Sequence, residues 1–317
     1  MFSLIDMLGK RAPQLKVVDV GAMWLGADDP PYGALTKAGR CDVVGFEPQQ
    51  NECDKLNKMG LKRQSYLPYF IGDGAERTFH LTSAPMTSSL YEPNAALLSL
   101  FQMLNELTTT VSTTEVTTKR LDDISEIDSI DFLKLDVQGA EVDCLRGATR
   151  LLRNCAVVYT EVNFVPMYKD MALFGDVDLL MRENGFLLHW LEPTQNRCYK
   201  PFMVNNDPVA GLNQTIWSNA VYVKDFTRLG RQSADLLLKM AVIVHECFNS
   251  FDLAAHALRY YDAKLERQGG VKAKDGLWPL YVNRVLGEVP NLPPIPASEI
   301  IDNADATVEV KPSVIAR

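Results

Sequence analysis

The sequence has few of the residues from which metal sites and disulfide frameworks are built. Its 317 residues include six cysteines and four histidines, with no CxxC pair and no Cys/His spacing suited to zinc. No cluster of histidines and carboxylates has ligand spacing either, so we expect no metal site. Several cysteines lie inside apolar runs, where a free thiol behaves as a small hydrophobic group. Unpaired thiols are typical of a reducing compartment, and we expect a cytoplasmic protein.

The sequence also lacks the positive charge and the long apolar runs that attract nucleic acids and membranes. Its formal net charge is −8, and its basic residues are scattered, so no global basic field draws in a nucleic-acid backbone. No stretch reaches about 18 consecutive apolar residues, the minimum for a membrane-spanning helix. Residues 1–6 lack the basic start and apolar stretch of a signal peptide. We therefore expect no nucleic acid among the partners and no membrane span.

What the sequence does contain is an alternation of short apolar strands with helix-length segments. Seven strands are predicted, at 17–20, 42–47, 66–71, 130–136, 156–162, 186–191 and 220–223. Helical segments are predicted at 1–14, 33–39, 49–59, 139–152 and 174–184. The first three strands are continuous in apolar residues rather than alternating, as expected when helices cover both faces of a sheet. The alternation favours βαβ units and an α/β fold with a seven-stranded, mostly parallel sheet.

Two parts of the chain depart from this alternation. Residues 77–81 alternate like an exposed strand. The threonine-rich stretch 108–119 favours a half-exposed strand, with a flexible loop as the alternative for its first part. Between them, residues 82–94 are rich in Ser, Thr and Pro, which predicts either a lid over a ligand site or a solvated loop. After residue 227 the pattern becomes all-helical, with helices predicted at 233–248, 251–265 and 276–286.

These changes predict three regions along the chain. They are a Rossmann-like domain at 1–227, an α-helical appendage at 228–289, and a proline-containing tail at 290–317 that is extended or disordered. The sequence of the appendage predicts two antiparallel helices and a third helix with a weaker helical pattern. The sequence leaves open whether it forms a homodimer, binds an acceptor or contacts another enzyme.

Three signals stand at the carboxyl ends of the first three predicted strands, where ligands bind in a doubly wound sheet. Gly21 follows the first strand and lets a ligand approach the backbone, because glycine has no Cβ. Glu47 ends the second strand, where a carboxylate can accept hydrogen bonds from both ribose hydroxyls of a nucleotide-like cofactor. Gly72 and Asp73 close the third strand, beside the expected adenine. Each signal alone is compatible with a plain turn or a solvated carboxylate, but together they favour a cofactor site.

The dinucleotide fingerprint G-x-G-x-x-G is absent from the first turn. Gly21 is followed only by Gly26, with the bulky residues 23–25 between them. A dinucleotide needs backbone amides around its pyrophosphate, whereas S-adenosylmethionine has no phosphate. The looser turn therefore suits S-adenosylmethionine better than NAD or FAD, and a dehydrogenase is the weaker alternative.

The most specific stretch is Leu133-Lys134-Leu135-Asp136-Val137-Gln138-Gly139-Ala140-Glu141. The other motifs are, in chain order, Asp19-Val20-Gly21-Ala22, Glu47-Pro48, Gly72-Asp73, Ser88-Ser89-Leu90, Arg120-Leu121-Asp122-Asp123-Ile124 and Thr160-Glu161-Val162. With these motifs in this order, roughly residues 15–225 resemble the FkbM-type methyltransferase family. Two positions depart from the family: Met23 stands where Asn is usual, and Gln138 stands where Glu is usual.

The resemblance implies a Rossmann-like class I methyltransferase fold and an enzyme that uses S-adenosyl-L-methionine. The acceptor it implies is a hydroxyl group on a sugar, glycan or secondary metabolite. The cofactor-binding residues it implies are Asp19, Gly21, Ala22, Glu47, Pro48, Gly72, Asp73, Ser89 and Asp136. Met23 and Gln138 leave one alternative open, a non-catalytic Rossmann-like binding or scaffold module whose C-terminal helices recruit a partner.

Methyl transfer needs the acceptor oxygen held in line with the methyl group and benefits from a base that takes the hydroxyl proton. Asp136, at the end of the fourth predicted strand, is the first candidate for the base or the acceptor-orienting group. Glu141 and Glu161 lie near neighbouring strand ends, where mutual repulsion would raise one pKa into a useful range. Their alternatives are structural, because Glu141 can stabilise a helix N-terminus and Glu161 can pair with Lys134. His189 lies in mid-strand and is interpreted as structural.

Overall fold

The computed structural model describes residues 2–23, 26, 29–270 and 272–286, and the statements below concern those residues. The strands are β1 (Leu15–Val20), β2 (Cys41–Phe46), β3 (Gln64–Leu67), β4 (Glu76–Thr82), β5 (Thr110–Thr117), β6 (Phe132–Leu135), β7 (Val157–Asn163), β8 (Phe186–Leu191), β9 (Gln195–Arg197) and β10 (Gln214–Lys224). Seven of them form a sheet in the order β3-β2-β1-β6-β7-β10-β8, and β9 pairs with β10 as an eighth strand. β4 and β5 form a separate antiparallel pair.

The order of the strands reverses at β1. This strand pairs in parallel with both β2 and β6, and β3 and β7 continue the sheet in parallel on the two sides. β10 runs antiparallel to β7. The chain thus builds one half of the sheet outward from β1 and then returns to build the other half, which opens a crevice at the carboxyl ends of β1 and β6. The expected Rossmann-like class I methyltransferase fold with a mostly parallel sheet is confirmed, and β9 adds one strand to the seven that were expected.

Helices occupy the connections between the strands and the C-terminal part of the chain. In chain order they are α1 (Leu4–Leu8), α2 (Gly33–Lys37), α3 (Gln50–Lys58), α4 (Ala95–Leu98), α5 (Leu104–Leu107), α6 (Glu141–Arg146), α7 (Thr149–Leu152), α8 (Phe174–Glu183), α9 (Ala234–Phe248), α10 (Phe251–Arg267) and α11 (Leu277–Leu286). All seven residues of β7 are buried, and so are five of the six residues of β1. Burial on both faces explains why these strands are mainly apolar and do not alternate between apolar and polar residues.

Several elements differ from the expectation in extent. The helix predicted at 139–152 is two helices, because the backbone leaves the helical conformation at Ala148, with a φ of −119°. The carboxylate of Asp122 then accepts hydrogen bonds from the N–H groups of Arg150 and Leu151 at the start of α7. The strand predicted at 66–71 ends at Leu67, since Pro68 has no N–H group for the ladder. β10 starts six residues before the predicted strand 220–223.

The exposed strands predicted around 77–81 and 108–119 are confirmed as the pair of β4 and β5. Most residues of β5 are exposed, which accounts for its threonines, since β-branched polar residues favour a solvated strand. The connection between the two strands contains α4 and α5.

The chain divides into two units. Among the described residues, the sheet unit lies within 14–223, and the helical unit combines residues 2–13 with those described from 224 to 286. α1 therefore belongs with the C-terminal helices, whereas the predicted Rossmann-like domain 1–227 includes it. The domain limits at 227 and 289 stay predictions, and the predicted tail at 290–317 lies outside the described residues.

The helical unit is built around α9, α10 and α11, as the helical periodicity predicted. The buried imidazole of His245 contacts the hydroxyl of Tyr281 at 2.8 Å and the carbonyl oxygen of Phe2 at 3.0 Å, so this histidine is structural. Asp262 accepts hydrogen bonds from the backbone N–H groups of Leu277 and Trp278 at the start of α11. None of the described helices is long and apolar enough to cross a membrane. A homodimer through these helices stays a prediction.

Candidate functional site

A cavity of about 530 Å³ opens at the carboxyl ends of β1, β2 and β6. This volume lies within the usual range of small-molecule and cofactor sites. Of the residues expected from the sequence, its wall contains Asp19, Gly21, Ala22, Glu47, Pro48, Ser89 and Asp136. The structure therefore brings together residues from three strand ends and from the connection after β4. Met23 and Gln138, the two departures from the family motifs, also line the cavity.

The turn after β1 can contain only glycine at position 21. The backbone of Gly21 has a φ of +80°, and a Cβ there would lie 1.9 Å from the carbonyl oxygen of Asp136. The N–H groups of Gly21 and Ala22 both donate to the carbonyl oxygen of Phe46, at 3.0 and 3.1 Å, while Asp136 N–H donates to Val20. These bonds join the ends of β1, β2 and β6 into one edge of the cavity.

A buried ion pair lies directly beneath this turn. The ammonium group of Lys134 donates to Asp19 Oδ1 and to the carbonyl oxygen of Gly21, both at 2.9 Å. The hydroxyl of Tyr32 donates to Asp19 Oδ2 at 2.6 Å, and burial raises the pKa of this hydroxyl. Both oxygens of Asp19 thus have protein donors, and Lys134 forms its ion pair with Asp19 rather than with Glu161.

Glu47 is a buried carboxylate on the cavity wall. It is 2 % exposed, and its Oε1 accepts a hydrogen bond from the backbone N–H of Gln49 at 2.9 Å. Burial raises the pKa of Glu47 to about 7. A carboxyl group in this position can accept hydrogen bonds from a ligand hydroxyl when it is ionised.

Gly72 and Asp73 are not among the described residues that line the cavity. Gly72 packs against Thr118. The carboxylate of Asp73 accepts hydrogen bonds from the side chain of Arg77 at 2.6 Å and from the backbone of Ala75. The residues from this connection that line the cavity are Tyr69, Phe70 and Ile71. The cofactor role expected for Gly72 and Asp73 therefore stays a prediction, and no cavity contact supports it.

The three predicted catalytic carboxylates differ in their surroundings. Asp136 lines the cavity, whereas Glu141 and Glu161 are buried behind it. Glu141 accepts hydrogen bonds from the N–H groups of Val137 and Gly139, both at 3.0 Å, and so fixes the loop that precedes α6. Burial raises the pKa of Glu141 to about 7. Burial, together with the charges of Asp136 and Glu141, raises the pKa of Glu161 well above its usual range.

Gln138 connects this loop to Asp136. It has a φ of +53°, and its Nε2 donates to Asp136 Oδ1 at 2.9 Å. Its backbone carbonyl accepts a hydrogen bond from Ser89 Oγ at 2.6 Å. In the sequence, Gln138 stands out only as a departure from the family motifs. Tyr32 and Tyr168 belong to none of these motifs. Their hydroxyls contact site residues that are distant in sequence, and a local pattern does not reveal such contacts.

The sequence matches the family model described as Methyltransferase FkbM domain over residues 19–188. Among solved structures, magnesium protoporphyrin IX methyltransferase from Synechocystis PCC 6803 with bound SAM is 10% identical, with 69% of this chain and 74% of that chain covered and a TM-score of 0.35. A TehB-like SAM-dependent methyltransferase from Corynebacterium glutamicum is 17% identical, with 70% and 85% covered and a TM-score of 0.32. These structural similarities are low, and the fold assignment rests on the strand order. No curated protein sequence matches the chain significantly.

Proposed function

Because the chain belongs to the FkbM methyltransferase family, we propose that it transfers the methyl group of S-adenosylmethionine to a hydroxyl group of a sugar, glycan or small secondary metabolite. The environment of Asp136 is the observation that supports a hydroxyl group as the methyl acceptor. Its carboxylate lies on the cavity wall beside the glycine turn, with Oδ1 bonded by Gln138. No donor among the described residues contacts Oδ2, so this oxygen is available to a hydroxyl group.

The cavity has the features that S-adenosylmethionine requires. Glu47 offers a carboxylate to the ribose hydroxyls, and the turn at Gly21 lets the cofactor approach the backbone closely. Apolar side chains that include Tyr69, Phe70 and Ile71 line the same cavity and suit the adenine ring. When bound, the cofactor supplies an electrophilic methyl group.

The side chains of this chain then act on the acceptor. Asp136 accepts a hydrogen bond from the acceptor hydroxyl, which orients the oxygen toward the methyl group. The same carboxylate receives the hydroxyl proton as the new bond forms. Glu141 holds the loop after β6 in place through two backbone N–H groups, so its role is to position Asp136 and its neighbours.

The proposal that the acceptor is a hydroxyl group is tested by measuring the transfer of a labelled methyl group from S-adenosylmethionine to a panel of methyl glycosides and hydroxylated metabolites. We expect incorporation by the wild type and a loss of about a hundredfold or more in Asp136→Asn, because the amide cannot accept the proton. Asp128→Asn is the matched control, since Asp128 is an exposed carboxylate that pairs with Lys16 outside this cavity. Turnover of Asp136→Asn near the wild-type rate would contradict the proposed role.

The affinity for S-adenosylhomocysteine should rise between pH 6 and pH 8. Ribose hydroxyls bind the ionised carboxylate, and burial raises the pKa of Glu47 to about 7. Each pH unit below that value should therefore weaken binding by up to about tenfold, and the affinity should level off above it. Glu47→Gln should bind weakly and without this pH dependence. Asp42→Asn, in the surface pair with Arg63, should keep the wild-type profile in the same calorimetric titration. An unchanged profile in Glu47→Gln would exclude the ribose contact.

A further inference from the structure

Tyr168 is a buried tyrosine that neither the family motifs nor the proposed mechanism uses. It follows β7, and its backbone neighbours pair with the segment before α4: Asn94 N–H donates to Met167, and Lys169 N–H donates to Glu92, each at 2.8 Å. Its side chain is 1 % exposed. The position of its hydroxyl is therefore fixed by both the backbone and the surrounding core.

The hydroxyl of Tyr168 stands between two acceptors on different elements. It lies 2.8 Å from the carbonyl oxygen of Thr87 and 3.2 Å from Oε1 of Gln138. A phenol has one proton to donate, so the two acceptors share it. Burial, together with nearby carboxylates such as Glu161, raises the pKa of Tyr168 well above its usual range, which keeps this proton in place.

Through Gln138 the contact extends to the reaction site. The same side-chain amide donates to Asp136 Oδ1 at 2.9 Å, and the backbone carbonyl of Gln138 accepts the hydrogen bond from Ser89. Thr87 and Ser89 belong to residues 85–90, which we call the cavity segment because Pro85, Met86, Ser88, Ser89 and Leu90 line the cavity. The cavity segment is thus joined to the loop that contains Asp136 by one direct hydrogen bond, from Ser89, and by a bridge through the Tyr168 hydroxyl.

We propose that Tyr168 is a positioning residue that ties the cavity segment, through Gln138, to Asp136 and thereby holds the cavity closed over the bound cofactor. The inference deepens the proposed function and rests on its placement of the cofactor in this cavity. It also decides between the two sequence interpretations of residues 82–94. The part at 85–90 is a lid, and release of the cofactor requires the Tyr168 bonds to break.

The experiment compares Tyr168→Phe with Tyr91→Phe. Tyr168→Phe keeps the aromatic ring and removes only the hydroxyl. Tyr91→Phe is the matched control, because the Tyr91 hydroxyl donates to Asp143 at 2.6 Å and does not contact the loop at Asp136. Two quantities are measured: backbone hydrogen exchange of peptides that cover 85–90, and the association and dissociation rates of S-adenosylhomocysteine.

We expect Tyr168→Phe to speed exchange in the cavity segment and the dissociation of S-adenosylhomocysteine by about three- to tenfold, the effect of one hydrogen bond, at an unchanged association rate. Gln138→Met should have a similar effect. In the double variant, exchange and dissociation should be little faster than in either single variant, because both changes break the same hydrogen-bonded connection from Thr87 through Tyr168 to Gln138. Tyr91→Phe should leave both quantities at wild-type values.

The proposal is overturned if Tyr168→Phe matches Tyr91→Phe in both measurements. It is equally overturned if exchange rises across the whole sheet unit, since the hydroxyl would then serve only general stability. A wild type that does not bind S-adenosylhomocysteine would refute the cofactor site itself. Hydrogen exchange of Tyr168→Phe and Tyr91→Phe, compared without ligand, would still show whether the Tyr168 hydroxyl holds the cavity segment.

Discussion

Replacing Gly21 with alanine is expected to abolish binding of S-adenosylhomocysteine and to destabilise the sheet unit by at least about 3 kcal/mol. A Cβ at this position would lie 1.9 Å from the carbonyl oxygen of Asp136, well inside van der Waals contact, and the φ of +80° is itself unfavourable for an L side chain. The clash can be relieved only if β1 and β6 separate at the cavity. Binding and stability should therefore fall together.

Gly39→Ala separates the steric clash from backbone strain. Gly39 has a φ of +65°, but a Cβ there would meet nothing within 4 Å. This variant should lose about 1–2 kcal/mol from the left-handed backbone alone and should keep its affinity for the cofactor product. Urea unfolding gives the free energies, and calorimetric titration gives the affinities. Equal effects of the two substitutions would show that the contact with Asp136 does not govern the turn.

Lys134→Met should lower the free energy of unfolding by about 3–5 kcal/mol, because it leaves Asp19 as a buried carboxylate without its cation. The side chains of Lys134 and Asp19 are only 12% and 6% exposed, and their charged atoms are 2.9 Å apart. Methionine has nearly the same length, so the lost volume is small. The substitution also removes the donor to the Gly21 carbonyl, and binding of S-adenosylhomocysteine should weaken as the turn loosens.

Lys16→Met is the control for this loss. Lys16 pairs with Asp128 at the surface, with side chains 43% and 76% exposed, and exposed pairs contribute at most about 1 kcal/mol. Both variants are compared by urea unfolding near neutral pH. A loss below about 1 kcal/mol in Lys134→Met would mean that Asp19 finds another partner.

The fold could be predicted from the sequence because the strands of the sheet unit are buried on both faces. The mainly apolar stretches at 17–20, 130–136 and 156–162 predicted strands in the right places. The predicted limits of a helix or strand were wrong where a contact with residues distant in sequence determines where the element begins or ends. The start of α7 is capped by Asp122, whose carboxylate accepts a hydrogen bond from the N–H of Arg150 over a separation of 28 residues, and a local pattern does not encode such a contact.

Part of the site could be predicted from the sequence, because some of its residues stand directly at the ends of predicted strands. Gly21, Glu47 and Asp136 stand at the ends of parallel strands, and such ends meet at one edge of a sheet. Asp73 also follows a predicted strand, but β3 ends earlier than expected and the Asp73 carboxylate turns to Arg77 instead. Tyr32 and Tyr168 reach the site from the connections after β1 and β7. Their hydroxyl contacts are set by tertiary packing, which a local pattern does not encode.

The most direct measurement is isothermal titration of the purified protein with S-adenosylmethionine and S-adenosylhomocysteine, with NAD as the control ligand. We expect both S-adenosyl compounds to bind with micromolar affinity, NAD not to bind, and Glu47→Ala to lose the binding. No binding of either S-adenosyl compound to the wild type would contradict a functional methyltransferase site. The non-catalytic scaffold would then become the leading interpretation.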